Sequence, residues 1–477
     1  MIERLVLFGA SGDLAGRFLL PALAALRAGG KLSENFELIG AALEKWDDDA
    51  FRRFALERLE RHAGDVPATA RISLARSLRY RTVDFDDPSS LSQVVQRKGS
   101  GSSQPVAAYL AVPPRAFAPA ITSLTKVGLP GDSRIVVEKP FGEDLSSAVA
   151  LNALLAQVSG SAGELAVFRV DHVLGMATVQ NLLGLRLANG ILDPVWNSAH
   201  IEQVEILWEE TLALEGRAGY YDQSGALKDV LQNHMLQLLS LMAMEPPRSL
   251  GERDLRDRKV DVLRSIRPLH REEIAARTRR ARYSAGRSAG TGTTVPAYTD
   301  EAGVEPERGT ETFAEIVLQL DSPRWAGTTF RLRAGKALAR RRKGIAIRFR
   351  PVTHSVFRDA TLNPVANALF IGIDGPEDIS LQLTGSALGP PPRLVPVTLA
   401  GPPPDSELPA YSRVLLDILS GGSTLSVRGD EAEQAWRVVT PVLEGWAEGL
   451  VPLDEYPAGS AGPPLISEPA RPVAIPI

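Results

Sequence analysis

The chain is 477 residues long, 44% hydrophobic and 23% charged, with a formal net charge of -4 and no cysteine. That length is too great for one ordinary core and predicts two domains, each large enough to be stable alone. The acidic balance argues against nucleic-acid binding, which normally shows as a basic face, and the lack of thiols excludes disulfides, thiolate catalysis, Cys-ligated zinc and iron–sulfur clusters. In chain order, residues 5–8 read as a strand that follows Met1 directly, without the basic and apolar regions of a signal peptide. No apolar run is expected to reach the length of a membrane span. Residues 19–26 carry helical spacing and 36–42 form a second strand. A buried strand over 107–112 ends at Pro113-Pro114, and another over 134–137 is stopped by Glu138-Lys139-Pro140. Strands that alternate with helical stretches predict a parallel sheet covered on both faces. Residues 97–103 are a flexible loop by composition. Beyond about residue 180 the pattern changes. Residues 201–208 alternate as a half-buried strand, and 226–244 form a long apolar helix. Strands over 312–320, 328–334, 344–350, 368–373 and 379–383 predict a mostly antiparallel α+β arrangement. Residues 286–294 read as a mobile loop, Pro390–392 and Pro402–404 as rigid connectors, and 456–477 as a Pro/Gly-rich tail.

The run Gly9-Ala10-Ser11-Gly12-Asp13-Leu14-Ala15-Gly16-Arg17 sits at the turn from the first strand to the first helix. Glycines there let the backbone approach a pyrophosphate, which then rests on the helix N-terminus. The spacing is Gly-x-x-Gly and not the full dinucleotide fingerprint, and a tight turn needs glycine anyway; its place after the first strand favours a dinucleotide site. At the end of the second strand an Arg favours a 2′-phosphate and an acid favours a free ribose diol. Leu43 and Glu44 lean towards NAD, although Glu44 and Lys45 read equally as solvated loop charges. Lys139 lies at a strand end, where open α/β sheets bind ligands, and Pro140 fixes its backbone.

Arg169-Val170-Asp171-His172-Val173-Leu174-Gly175-Met176 sets an Asp beside a His in an apolar stretch. With His234 in the later cluster Asp229-Val230-Leu231-Gln232-Asn233-His234, it points to a His base held by an Asp, the chemistry of proton abstraction. A lone Asp-His pair is more often structural. Asp229 and His234 are five apart on a helix, off a common stripe, and meet a ligand from two angles. The cations between Arg333 and Lys343 read either as a solvated basic loop or, starting at a strand end, as an anion site suited to phosphate.

Taken together, segments 9–17, 109–114, 138–142, 169–183, 215–237, 333–336, 411–417 and 456–463 resemble the glucose-6-phosphate 1-dehydrogenase family, in the family's order along nearly the whole chain. The resemblance implies an α/β Rossmann-like coenzyme domain over 1–180. An α+β substrate-binding and dimerisation domain with a large, mostly antiparallel sheet follows over 181–477. The implied reaction is hydride transfer from C1 of a hexose phosphate to NADP or NAD, giving a lactone. By matching position, His234 is the base for the C1 hydroxyl proton, Asp171 its orienting partner, and Lys139 contacts the sugar near the nicotinamide. His172, Glu210, Asp229, Lys336 and Arg341 fall where the family contacts substrate, with His172 and Arg341 near its phosphate. Coenzyme contacts fall on Gly9, Ser11, Gly12, Asp13, Leu14, Arg17, Leu43, Pro113 and Lys139. The expectation is completed by a small-molecule sugar as partner, a cytoplasmic homodimer or dimer of dimers, and no metal, nucleic acid or membrane.

The departures are concentrated. Val173 and Met176 stand where the family has a Tyr and a Lys that hold the substrate phosphate, and Leu43 stands where an Arg favours NADP. Gly16 replaces a basic residue, and Gly372, Asp374 and Gly375 replace the family's Arg, Gln and Pro. Each lost charge-assisted contact costs about 1.5–3 kcal/mol. Two alternatives therefore stand beside the family default: a shifted, non-phosphorylated or modified hexose, and a non-catalytic binding relative. The retained Asp171, His234, Lys139 and Asp229 weigh against the second.

Overall fold

The computed structural model of the chain describes residues 1–96, 104–216, 218–354, 366–373, 379–387, 389, 393–402 and 406–466. Its contacts divide into two compact units. The first comprises Met1–Met176, Pro247–Asp257 and Ser406–Glu433; the second comprises Ala177–Pro246, Arg258–Asp405 and Gln434–Ile477. Two segments of the first unit thus come from chain that a single boundary near residue 180 assigns to the other half.

The first unit is built on β1 (Arg4–Phe8), β2 (Glu37–Ala42), β3 (Arg79–Thr82), β4 (Ala107–Leu110), β5 (Arg134–Glu138) and β6 (Val167–Val170). They lie in the order β6-β5-β4-β1-β2-β3 and are parallel throughout. Both β1 and β4 are buried at every position, the mark of strands covered on both faces. The register sets Phe8 beside Ala41 and Leu110, Leu110 beside Val137, and Glu138 beside Val170, so the chain leaves all these strands at one edge. The strand order reverses between β1 and β4, the place where open α/β sheets bind ligands. Two strands escape the apolar pattern. Edge strand β3 buries only Tyr80, and β6 contains Arg169, whose guanidinium is met by Glu164 at 2.6 Å and Asn152 at 2.7 Å. A short strand, Ser426–Val427, pairs antiparallel with β6. The loop expected over 97–103 lies outside the described residues.

Helix Leu145–Ser159 is capped by Asp144, which accepts from the Ser147 N–H at 2.8 Å. With the 3₁₀ segment Gly160–Ala166 behind it, the stretch reaches the length and apolarity of a membrane span, contrary to the expectation that none does. Gly160 and Gly163, at φ 53 and 56, interrupt it. The 15 residues of regular α-helix extend about 22 Å at 1.5 Å per residue, against about 30 Å for a hydrocarbon core.

The second unit holds β7 (Ile201–Glu209), β8 (Thr278–Ser284), β9 (Gly286–Arg287), β10 (Thr294–Val295), β11 (Phe313–Leu318), β12 (Thr329–Gly335), β13 (Arg342–Phe349), β14 (Ala368–Gly372), β15 (Ile379–Ala387) and β16 (Arg393–Gly401). Its large sheet runs β16-β15-β14-β13-β7-β12-β11-β8 and ends on Leu453–Pro457. Most neighbours are antiparallel, as expected, while β7 with β12, and β8 with Leu453–Pro457, are parallel.

Four expectations change in this unit. Strand β7 is buried on both faces rather than half-buried, because its charges meet partners on neighbouring strands: Arg331 pairs with Glu205 and Glu315, and Arg333 with Glu209. The loop expected over 286–294 is framed by the β9–β10 pairing, with Ser288 buried. The expected tail begins later, since Tyr456 is buried within Leu453–Pro457 and donates its hydroxyl to the Lys336 carbonyl at 2.7 Å. The long apolar helix is divided: Leu227–Met235 is π-helical and Leu236–Ala243 α-helical. With i→i+5 bonding, five residues come close to a full turn, so Asp229 and His234 lie nearer to one face than the same spacing gives in an α-helix. Pro390–392 and Pro403–404 lie outside the described residues.

Glu311 holds the start of this divided helix. Its Oε1 accepts the Leu227 N–H at 2.9 Å and its backbone carbonyl the Ala226 N–H at 3.2 Å. Burial pushes the Glu311 carboxyl up to about 7. A carboxyl whose folded pKa is raised contributes stability that is fully present below its unfolded pKa and is lost as pH rises through the folded value. Thermal stability is therefore expected to fall between about pH 5 and pH 8, and Glu311→Gln, which keeps an acceptor for Leu227, to flatten part of that fall. A variant with an unchanged pH slope of Tm would remove Glu311 as its source.

Candidate active site

The turn after β1 is laid out for a dinucleotide. Gly9 has φ +78, and a Cβ there would meet the Ala111 carbonyl oxygen at 2.3 Å, so the turn lies directly against the chain leaving β4. The Gly12 N–H donates to the Gly9 carbonyl at 2.9 Å and the Gly16 N–H to that of Gly12 at 3.1 Å, which winds the turn into the helix. Ser11 donates its hydroxyl to Glu44 Oε2 at 2.9 Å, tying the turn to the end of β2. Asp13 pairs with Arg17 at 3.4 Å on the surface, Leu14 is half-buried, and Pro113 is exposed after β4. Leu43 is 70% exposed. A cleft of about 510 Å³ continues this edge, walled by Trp46, Asp47, Asp48, Asp49, Arg52 and Arg81 among others. A pyrophosphate on the helix N-terminus and a ribose beside Glu44 fit this cradle.

Along the same edge, Lys139 follows β5 and is half-buried, joined to Pro140 by a cis peptide. Before it, Glu138 is enclosed and accepts the Tyr109 hydroxyl at 2.5 Å. Burial pushes the Glu138 carboxyl up to about 7, against the opposing influence of Tyr109 and Lys139. After β6, Asp171 is fully buried and its Oδ1 accepts the Val173 N–H at 3.1 Å, capping the 3₁₀ turn His172–Gly175. The half-buried His172 stacks on Tyr411, with ring centroids 5.3 Å apart and planes 11° apart. Of the two substituted phosphate positions, Val173 is wholly inside the core and Met176 is half-buried.

In the second unit, Glu209 and Glu210 end β7 and meet cations from β12, β13 and the turn between them. Glu209 receives Arg333 at 2.7 Å and Arg342 at 2.5 Å. Glu210 receives Lys336 at 2.6 Å on one oxygen and Lys343 at 2.9 Å on the other. Burial raises the Glu210 carboxyl, but the two lysines outweigh it and bring it down to about 2. The Lys336 ammonium lies 5.1 Å from the Tyr221 ring, and that of Lys343 lies 4.6 Å from the Trp208 ring. Trp208 in turn packs on His234, centroids 5.4 Å apart. Asp229, at the first turn of the same helix, accepts the Tyr220 hydroxyl at 3.1 Å.

The expected residues thus gather at two strand edges. In the first unit the coenzyme set, Lys139, Asp171 and His172 follow the C-terminal ends of β1, β2, β4, β5 and β6. In the second, Glu210 and Lys336 form an ion pair, while Asp229 and His234 share the π-helical segment. Arg341 is exposed, whereas its neighbours Arg342 and Lys343 join Arg333 and Lys336 in pairing with Glu209 and Glu210. Lys343, Glu138 and Tyr411 were not singled out from sequence. Lys343 carried a signal, as the last cation of the run, but its direction depends on β13 starting at Arg342. Chemically, a fixed ionised carboxylate and two ammoniums beside a buried imidazole suit proton abstraction from an anionic polyhydroxyl compound.

Residues 6–181 match the family model for the glucose-6-phosphate dehydrogenase NAD binding domain, and residues 183–471 that for its C-terminal domain. The chain is 37% identical over 473 residues to the glucose-6-phosphate 1-dehydrogenase of Zymomonas mobilis, covering 97% of this chain and 96% of the relative. It is 38% identical over 468 residues to that of Rhizobium meliloti, covering 96% and 94%. A solved glucose-6-phosphate dehydrogenase in complex with its substrate glucose-6-phosphate matches it with a TM-score of 0.86 at 30% identity, covering 98% of this chain and 96% of that one. The chain belongs to the glucose-6-phosphate dehydrogenase family.

Proposed function

We propose that this chain oxidises the C1 hydroxyl of glucose 6-phosphate to the lactone with a nicotinamide dinucleotide. The observation that carries the reading is the cluster ending β7: ionised Glu210 between Lys336 and Lys343, with the Lys343–Trp208–His234 packing beside it. It is supported by end-to-end similarity to a relative solved with glucose-6-phosphate. The relatives lend no support to a non-phosphorylated sugar or to a non-catalytic role.

The nicotinamide, when bound, supplies the hydride acceptor. His234 takes the C1 hydroxyl proton as the C1 hydride departs, which avoids a protonated lactone. Asp171 orients the neutral imidazole and offsets the charge of the imidazolium that results. Glu210 and Asp229 accept hydrogen bonds from sugar hydroxyls. Lys139 contacts the sugar near the nicotinamide, while Lys336, His172 and Arg341 supply cationic or N–H contacts to the anionic substrate. Gly9, Ser11, Gly12, Asp13, Leu14, Arg17, Leu43, Pro113 and Lys139 line the coenzyme. A cytoplasmic homodimer or dimer of dimers is proposed on family resemblance, and sedimentation of the purified protein tests the assembly.

For the coenzyme we favour relaxed or NAD-leaning specificity. Leu43 offers no charge to a 2′-phosphate, Glu44 lies at the end of β2 bound to Ser11, and the adjoining cleft carries three successive aspartates, Asp47, Asp48 and Asp49. Arg52 and Arg81 in that cleft are already paired with Asp49 and Asp48.

Three outcomes are expected. Following reduced coenzyme, glucose 6-phosphate turns over saturably and with higher kcat/KM than glucose; equal or reversed preference would sink the phosphorylated-substrate reading. His234→Asn lowers kcat by about 10²–10⁴-fold while coenzyme binding, measured by calorimetry, stays unchanged; retained turnover would remove His234 as the base. Leu43→Arg tightens NADP binding about tenfold, the value of one charge-assisted contact of about 1.5 kcal/mol, with NAD binding little altered. A wild-type protein that already prefers NADP strongly would overturn the coenzyme assignment.

A further inference from the structure

Glu138 ends β5 immediately before Lys139 and is enclosed by the first unit. Its carboxylate receives the Tyr109 hydroxyl at 2.5 Å, and the Tyr411 hydroxyl lies close by. Burial, with Glu138 and Asp171 nearby, holds the Tyr411 hydroxyl well above its ordinary pKa, so it remains a donor. Tyr411 begins the helix Ala410–Ser420, and the face of its ring lies on His172, 5.3 Å between centroids and 11° between planes. The same helix touches the backbone of the His172 turn. A Cβ on Gly175 would meet the Ala410 carbonyl oxygen at 2.4 Å, and Arg413 donates to the Gly175 carbonyl at 3.3 Å.

An imidazole on a short 3₁₀ turn can tilt about its side-chain torsions, and a phosphate oxygen is recognised only if an N–H points at it. A flat stack restrains tilt on one face. The outer ring is held in place in turn, because the helix that carries it is packed on the backbone of the His172 turn at Gly175. We infer that Tyr411 is a positioning residue that fixes the His172 ring for the substrate phosphate and thereby sets the preference for phosphorylated over free sugar. The inference rests on the reading that His172 contacts that phosphate. It also gives the distant segment Ser406–Glu433 a functional reason to belong to the coenzyme unit.

The test compares Tyr411→Leu, Tyr411→Phe and Glu138→Gln with the wild type, measuring kcat and KM for glucose 6-phosphate, kcat/KM for glucose, KM for the coenzyme, and Tm. Tyr411→Leu, which loses the stack, is expected to raise KM for glucose 6-phosphate about tenfold while kcat stays within about threefold. Its kcat/KM for glucose and its KM for the coenzyme should hold, so selectivity for the phosphorylated sugar falls about tenfold. Tyr411→Phe and Glu138→Gln keep the stack and change only the surroundings of its outer edge, with an expected rise in KM of about threefold. An unchanged KM in a folded Tyr411→Leu, or a parallel loss for both sugars and in kcat, overturns the positioning role. If Tyr411→Leu fails to fold, Tyr411→Phe decides by the same selectivity ratio. A wild type without saturable glucose 6-phosphate turnover instead defeats the functional reading itself, and the two failures are separated by that first measurement.

Discussion

A charge taken out of water must be met by a partner, and in this chain the sites lie where those partners converge. Arg331 at the centre of the large sheet is held by Glu205 and Glu315 from the strands on either side. One step along β7, Glu209 takes an arginine from β12 and another from β13. At the strand end, where the sheet opens, the same arrangement continues with lysines on Glu210. The pairing that makes the sheet interior tolerable thus becomes, at its edge, a preorganised ionic cluster. Cutting one partner from such a pair leaves an uncompensated buried charge, so these positions serve stability.

At Glu138 the first unit solves the same problem with a neutral donor: the carboxylate accepts the Tyr109 hydroxyl, and burial pushes its carboxyl up rather than down. Its setting is fixed by the parallel register, which brings β1, β2, β4, β5 and β6 to a common edge. That edge is where the glycine turn, Lys139 and the Asp171–His172 pair are delivered. The helix Ala410–Ser420 then closes on the last of these through Gly175, a position that admits no side chain.

Much of this organisation was legible from the residues. The fully buried runs of β1 and β4, and of β5 beyond Arg134, stand out because parallel strands are apolar on both faces. The glycine turn, Lys139, Glu210 and His234 could be named because their types and order along the chain match a family. What escaped notice was polar or ended by a breaker. Strand β6 contains Arg169, β8 contains three arginines (Arg279, Arg280 and Arg282), and Leu453–Pro457 ends in proline. Such segments look like surface or loop until their partners are known. The π-helical turn was likewise invisible, because an apolar run does not record whether its hydrogen bonds close at four residues or five.

By itself the sequence determined the two-part organisation, the place of the dinucleotide turn and the family to which the chemistry belongs, because local periodicity and short motifs are carried by neighbouring residues. Only the tertiary structure decided which cations of the run 333–343 face the acids at the end of β7, since β13 starts at Arg342, pairs with β7 and sets Lys343 against Glu210, while Arg341 precedes the strand and is exposed. Only it could bring Tyr411 onto His172, because a contact across so many intervening residues is set by packing and by the search for partners, and neither leaves a local trace in the chain.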